Sequence, residues 1–229
     1  MGEHDPVLRC RGLTRIFGSG RTTRVAVDDV TVEVPRAARI AVTGPSGSGK
    51  STLLHLFAAL DTPSAGALSW PALDVDPRRD RTRIGVVFQA PSLIPELDVT
   101  ENVALPLILA GCPDTDARAR AVSTLARLGL ESVAHRLPDE LSGGQLHRVA
   151  MARALAGAPR LVLADEPTGQ LDHHTGAQVL GTLFGIVGAL GAALVLSTHD
   201  DAVARRFPVR WSMRNGRIDT RSTPGRAAT

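Results

Sequence analysis

The sequence predicts an α/β fold: a mixed sheet flanked by helices, with an N-terminal antiparallel β part and an inserted helical subdomain. Three observations predict it. Apolar runs of strand length occur at residues 39–43, 84–88, 161–164 and 193–197, each bounded by turn or helix signals. The first of these runs straight into a glycine-rich loop and then a helical pattern. Residues 90–156 depart from that rhythm, because Pro91, Pro95, Pro106, Pro113 and Pro138 separate helical pieces there.

The glycine-rich loop is Gly44-Pro45-Ser46-Gly47-Ser48-Gly49-Lys50-Ser51-Thr52, which meets every fixed position of the phosphate-loop pattern. Glycines let successive N–H groups turn inward around an anion, and the helix expected over 52–60 adds its positive end. Lys50 brings a compact ammonium for β- and γ-phosphates, and Ser51 an oxygen for Mg²⁺. Lys50 is the only lysine in the chain. Every other long basic side chain is Arg, whose planar fork would not fit this loop. The core is therefore of the phosphate-loop NTPase kind.

In chain order, a strand is expected over 7–13, a turn over 15–18 and a second strand over 24–34, closed by Pro35. Strand, phosphate loop and helix follow, then a turn at 62–66 and a short strand at 67–70. The strand at 84–88 ends at Gln89. Helices are expected at 100–110 and 114–128, then from Leu141 to about 156. After the strand at 161–164 come an apolar helix over 175–190, a turn at Gly191 and a buried strand. Residues 209–213 and 217–220 form a closing hairpin around Asn215-Gly216. This organisation is one domain over 1–221, its core at 1–89 and 157–221 and its helical subdomain at 90–156, with a frayed tail at 222–229.

Composition narrows the function. With 229 residues, 43% hydrophobic content and a net charge of +3, the chain can bury a large core. The densest basic stretch, 78–83, is interrupted by Asp80 and reads as a solvated loop, so no nucleic-acid partner is expected. Cys10 and Cys112 lack metal or disulfide spacing and fit free thiols. The N-terminus has no signal peptide pattern. Residues 179–198 carry no charge, but Gly191 divides them into a helix and a strand of ordinary lengths, so they predict no membrane anchor.

Further motifs carry chemistry. The strand at 161–164 ends in Asp165 and Glu166, and strand ends of parallel sheets converge on the ligand crevice. Asp165 suits Mg²⁺; Glu166 suits the water that attacks a γ-phosphate. Ser142 is a good N-cap, and Ser142, Gly143, Gly144 and Gln145 make a second anion site at a helix end. His199, after the strand at 193–197, is placed for a γ-phosphate contact. Gln89 can reach metal or water through its amide.

Phosphate loop, Gln89, the Leu141–Gln145 signature, Asp165-Glu166, Leu171-Asp172 and His199 occur in the order found in ATPase subunits of ATP-binding cassette (ABC) transporters. The resemblance runs from about residue 8 to 218. Residues 164–169 and 96–103 look most like the branch serving lipoprotein release, macrolide export, antimicrobial-peptide resistance and cell division. It implies ATP and Mg²⁺ as ligands, Phe17 stacked on adenine, and Asp172 at the nucleotide. It implies a head-to-tail dimer, homomeric or with a related subunit. ATP would lie between one phosphate loop and the other subunit's signature. It also implies an integral-membrane permease docked near 89–99, and a place on the cytoplasmic side of the membrane. A regulatory ATPase that moves no solute, such as the cell-division type, is the alternative. The chain departs from the pattern at Phe17, where Tyr is usual, at Leu146-His147, at Gln170, in a short loop over 71–83, and in the apolar helix 175–190. That last departure predicts unusual packing on the core or on a partner.

Overall fold

The structure is a computed structural model, and it describes residues 5–219. The strands are β1 (Leu8–Phe17), β2 (Arg24–Val34), β3 (Arg39–Thr43), β4 (Ala65–Ser69), β5 (Ile84–Val87), β6 (Leu161–Asp165), β7 (Ala193–Thr198), β8 (Val209–Arg214) and β9 (Arg217–Asp219). The α-helices are α1 (Lys50–Phe57), α2 (Val99–Leu109), α3 (Asp114–Arg127), α4 (Gly143–Leu155), α5 (His173–Leu190) and α6 (Asp201–Ala204). The chain forms two compact units. Of the described residues, one holds 5–76, Leu163–Glu166 and 193–219; the other holds Pro77–Val162 and Pro167–Ala192.

In the first unit, β2, β1 and β4 form an antiparallel sheet in that order. A second sheet runs from the end of β6 through β7, β3 and β8 to β9, with β3 parallel to both neighbours and β9 antiparallel to β8. Ile40–Val42 of β3 and all of β7 are buried, as in strands covered on both faces. β1 is longer than its sequence suggests. Residues 15–17, expected to turn, continue the strand, pairing Ile16 with Val25 and Phe17 with Arg24. The reason is a register shift between Cys10 and Leu13. Gly12 (φ 59) and Asp29 (φ 51) absorb an extra residue in each strand, which breaks the period-two alternation that sequence patterning relies on.

α1 starts at Lys50 and stops at Phe57, short of the expected 60. Ala59 enters the left-handed region (φ 55), and Leu60 N–H returns to His55 O at 2.9 Å, closing the helix without a glycine. Leu53, Leu56 and Phe57 are buried, and Trp70 donates its indole N–H to Phe57 O at 3.0 Å.

In the second unit, β5 stands beside the start of β6, and α2, α3, α4 and α5 pack together. Pro106 lies inside α2 and does not separate two helical pieces. An interior proline costs about 3 kcal/mol. Strong anchoring at the other end of the helix offsets it. Asp98 and Glu101 form a reciprocal cap, and the buried Asn102 amide bonds Ile94 O, Leu97 O and Asp98 O.

α5 buries Val179, Leu180, Leu183, Ile186 and Val187, while Gly181, Gly185 and Gly188 are exposed. Its apolar character is thus internal packing, with small residues at the exposed positions. Among the described residues no helix is long and apolar enough to cross a membrane. Cys10 and Cys112 are free thiols, and burial pushes the Cys10 thiol up to about 11. Thr220, expected to end the hairpin, and the tail at 222–229 lie outside the described residues.

Candidate active site

The phosphate loop connects β3 to α1. Gly44 (φ 153) and Gly49 (φ 105) are obligatory by space as well as conformation. A Cβ on Gly44 would run into Met213 O, and one on Gly49 into Ala26 O, so the loop is wedged against β8 and β2. Gly216 N–H donates to Ser48 O at 3.0 Å and fixes the loop from the hairpin side. Pro45, Ser46 and Gly47 are exposed, forming the open lip. The Ser48 hydroxyl is buried beneath it with no hydrogen-bond partner. A buried hydroxyl left unpaired is costly, and a phosphate oxygen is the partner this cradle fits.

Lys50 is 5% exposed and its Nζ donates to Gly44 O (2.9 Å) and Pro45 O (3.2 Å). It also lies 3.5 Å from Glu166 Oε1. Glu166 sits in the left-handed region (φ 43), a conformation that costs about 1 kcal/mol or more outside glycine. Ser197 holds it there: Glu166 N–H donates to Ser197 Oγ (3.1 Å) and to Ser197 O (3.2 Å). The same hydroxyl donates to Asp165 Oδ1, so one buried serine positions both acids. His199 Nδ1 lies 2.9 Å from Glu166 Oε2. A carboxylate only accepts, so Nδ1 carries the proton, and Nε2 can donate outward only from a doubly protonated ring.

Phe17 is 41% exposed at the end of β1. Arg15 covers one ring face, its guanidinium carbon 4.5 Å from the centroid, and is itself held by Asp61 Oδ2 at 2.8 Å. The residue's remaining exposure leaves part of the ring in solvent.

In the second unit, Gln89 is exposed two residues beyond the end of β5. The stretch behind it has neither helix nor strand, yet it is tied down. Arg153 of α4 donates to Ser92 O (2.9 Å) and Pro91 O (3.0 Å), and Asn102 holds Ile94 and Leu97. Ser142 caps α4: its Oγ accepts from Gln145 N–H (3.4 Å) while Gln145 Oε1 accepts from Ser142 N–H (2.8 Å). Gly143 and Gly144 form the first turn, and nothing lies within 4 Å of a Cβ built on Gly143. Asp172 caps α5, its Oδ1 accepting from His174 N–H and Thr175 N–H at 3.0 Å each. Hydrogen bonds from the Thr175 side chain and backbone hold the Asp172 carboxyl below the usual carboxylate range.

The structure thus gathers Lys50, Asp165, Glu166 and His199 around the phosphate loop, with Phe17 in the same unit. Gln89, Ser142–Gln145 and Asp172 stand at element ends of the second unit. Sequence reasoning missed Ser197 and Arg153. Ser197 is an ordinary residue of an apolar strand and Arg153 an ordinary helix Arg; only their distant partners reveal them. For a cation, the first unit offers the Ser51 hydroxyl and the Asp165 carboxylate, hard oxygens of the kind that suit Mg²⁺; the Gln89 amide oxygen belongs to the second unit. Among the described residues no group of three or more His, Cys, Asp or Glu could hold a metal ion.

Comparison with known proteins agrees with this geometry. A family model described as ABC transporter matches residues 27–169. A lipoprotein-releasing system ATP-binding protein, LolD, of Gluconobacter oxydans is 42% identical over 220 residues, covering 92% of this chain and 94% of that protein. The LolD of Bordetella pertussis is 40% identical over 223 residues, covering 94% and 96%. Among solved structures, a dimeric post-hydrolysis state of the ATP-binding cassette MJ0796 bound to ADP and Pi superposes with a TM-score of 0.85. It is 35% identical, with 96% of this chain and 100% of that chain covered.

Proposed function

The chain belongs to the ABC transporter family, and from that premise we propose that it is the ATP-hydrolysing subunit energising a separate membrane permease. The likeness to lipoprotein-releasing subunits supports release or export of a lipophilic or peptide-like cargo. The observation that carries the catalytic reading is the Lys50–Glu166–His199 contact at the phosphate loop.

The loop N–H groups, the Ser48 hydroxyl and Lys50 hold the β- and γ-phosphates. Glu166 takes a proton from water as its oxygen bonds to the γ-phosphorus, and the bond to the β–γ bridging oxygen breaks in line, leaving ADP and inorganic phosphate. Once released from Lys50, Glu166 has a carboxylate oxygen free for that proton. His199 orients Glu166 and stabilises charge on the γ-phosphate. Phe17 stacks on the base and Asp172 lies at the nucleotide. Ser51, Asp165 and Gln89 would hold Mg²⁺, which when bound neutralises charge on the phosphate oxygens.

The site is completed head to tail by Ser142, Gly143, Gly144 and Gln145 of a second subunit, identical or related. The permease docks on the stretch after Gln89 and keeps the chain at the cytoplasmic face of the membrane. Residues 1–89 and 157–221 act as the nucleotide-binding core, and 90–156 as the helical subdomain.

Phosphate release from ATP by the purified chain tests the reading. Activity should require Mg²⁺ and vanish in Lys50→Ala. Metal-independent hydrolysis, or hydrolysis undiminished in Lys50→Ala, would overturn it.

A further inference from the structure

We propose that Arg24 binds the α-phosphate of the nucleotide, a role that rests on the ATP site described above. Two observations locate it. Arg24 pairs in register with Phe17 across the β1–β2 ladder, at the platform for the base. Its Nη2 also reaches to 3.5 Å from Gly47 O, on the exposed lip of the phosphate loop. One side chain therefore spans from the base platform to the loop. In a nucleoside triphosphate the groups between base and loop-bound phosphates are the ribose and the α-phosphate. Of these, only the phosphate is charged.

The charge of Arg24 is also uncompensated, unlike that of the arginines flanking the ladder: Arg9 pairs with Glu33 (2.6 Å) and Arg15 with Asp61 (2.8 Å), and in the hairpin Arg217 pairs with Asp28 (2.8 Å). Among the described residues no carboxylate lies within ion-pair distance of Arg24, whose contact is a single carbonyl at the limit of hydrogen-bond range. A guanidinium stays charged at any working pH and presents several donors in a fork that matches phosphate oxygens. Arg15 cannot take this part, because Asp61 and the Phe17 ring already occupy it.

The test is calorimetric titration of the full chain with ATP and with ADP, both of which carry the α-phosphate. Arg24→Ala should raise Kd for both by a similar factor, about 5- to 10-fold at low salt, as for a partly exposed charge-assisted contact. Arg24→Lys should recover part of the loss, and Arg24→Glu should bind more weakly than Arg24→Ala. The difference from the parent should shrink as salt rises. Because Arg24 is exposed, Tm should not move. If Arg24→Ala and Arg24→Glu both keep Kd within two-fold, the assignment is wrong. A loss for ATP without one for ADP would also overturn it, placing the guanidinium on the γ-phosphate. Lys50→Ala separates the two levels. If it weakens ATP while the Arg24 variants do not, only this inference falls; if it too binds ATP normally, the site itself is misread.

Discussion

Glu166 Oε2 accepts the Nδ1 proton of His199 at 2.9 Å, while the other oxygen of the same carboxylate lies 3.5 Å from Lys50 Nζ. The carboxylate is therefore held between two cationic or proton-bearing partners before any nucleotide is considered. Lys50 has two further acceptors in the loop, Gly44 O and Pro45 O. In the proposed mechanism it leaves Glu166 for phosphate oxygens without being stranded, an exchange that would turn Glu166 from an ion-pair partner into a base.

Glu166→Gln tests the exchange. The amide keeps the shape and a hydrogen-bond acceptor but loses the basic oxygen. ATP binding should survive, and turnover should fall by at least ~10²-fold. A steady-state ATPase rate near that of the parent would remove Glu166 from the role of base.

Phe17 is 41% exposed, with Arg15 stacked on one ring face. Phe17→Ala should weaken ATP binding by ~1–3 kcal/mol, as base–aromatic stacking does elsewhere. Phe17→Tyr and Phe17→Trp should keep it, because stacking needs only a π-face. GTP should be penalised little relative to ATP, for a phenyl ring makes no hydrogen bond to the base. An unchanged affinity in Phe17→Ala would mean that another residue carries the base.

Arg153 is the tie between α4 and the stretch after Gln89, and burial lowers its pKa without discharging it. Arg153→Ala should remove both bonds, at a cost of about 1 kcal/mol, because water can take up the exposed Ser92 and half-buried Pro91 carbonyls. Amide exchange over 89–98 should quicken while α1 and β3 keep their protection. Arg153→Lys should restore this only in part, since one ammonium cannot reproduce the fork on two carbonyls. Unaltered exchange over 89–98 in Arg153→Ala would show that Asn102 alone holds the segment.

Where a local pattern decides the structure, the sequence was enough. β2 and β3 begin and end where their apolar patterns and Pro35 place them. The cap at Ser142, expected from a local motif of four residues, forms. Legibility ended where a partner far along the chain decides. The double irregularity at Gly12 and Asp29 hid the last turn-like residues of β1 inside a strand. Pro106 stays helical inside α2, where a proline ordinarily reads as a break. Ser197 reaches Asp165 across 32 positions and Arg153 reaches Ser92 across 61, distances no spacing rule encodes. The apolar α5 was ambiguous between core and partner surface. Glycines at its outward positions leave its large side chains facing inward.

The proposed composite site makes a prediction about pairs of chains. Ser142 Oγ accepts from Gln145 N–H and keeps its own O–H to donate outward, beside the open Gly143. A helix N-terminus so prepared favours an anion, and a two-fold dimer can bring it to the partner's bound phosphates. Ser142→Arg should then abolish hydrolysis and spare ATP binding to the single chain, whereas Lys50→Ala should impair both. In a mixture of the two variants, each heterodimer has one site with intact Lys50 and intact Ser142, and one site with both changed. Random pairing makes half the dimers mixed, and half of their sites are intact. About a quarter of the parent activity should therefore return if sites act independently. If two working sites are required together, activity stays near zero, and adding an excess of parent chain should rescue neither variant. The measurement that decides the geometry is the single variant: full ATPase activity from Ser142→Arg alone is incompatible with a site built from two subunits.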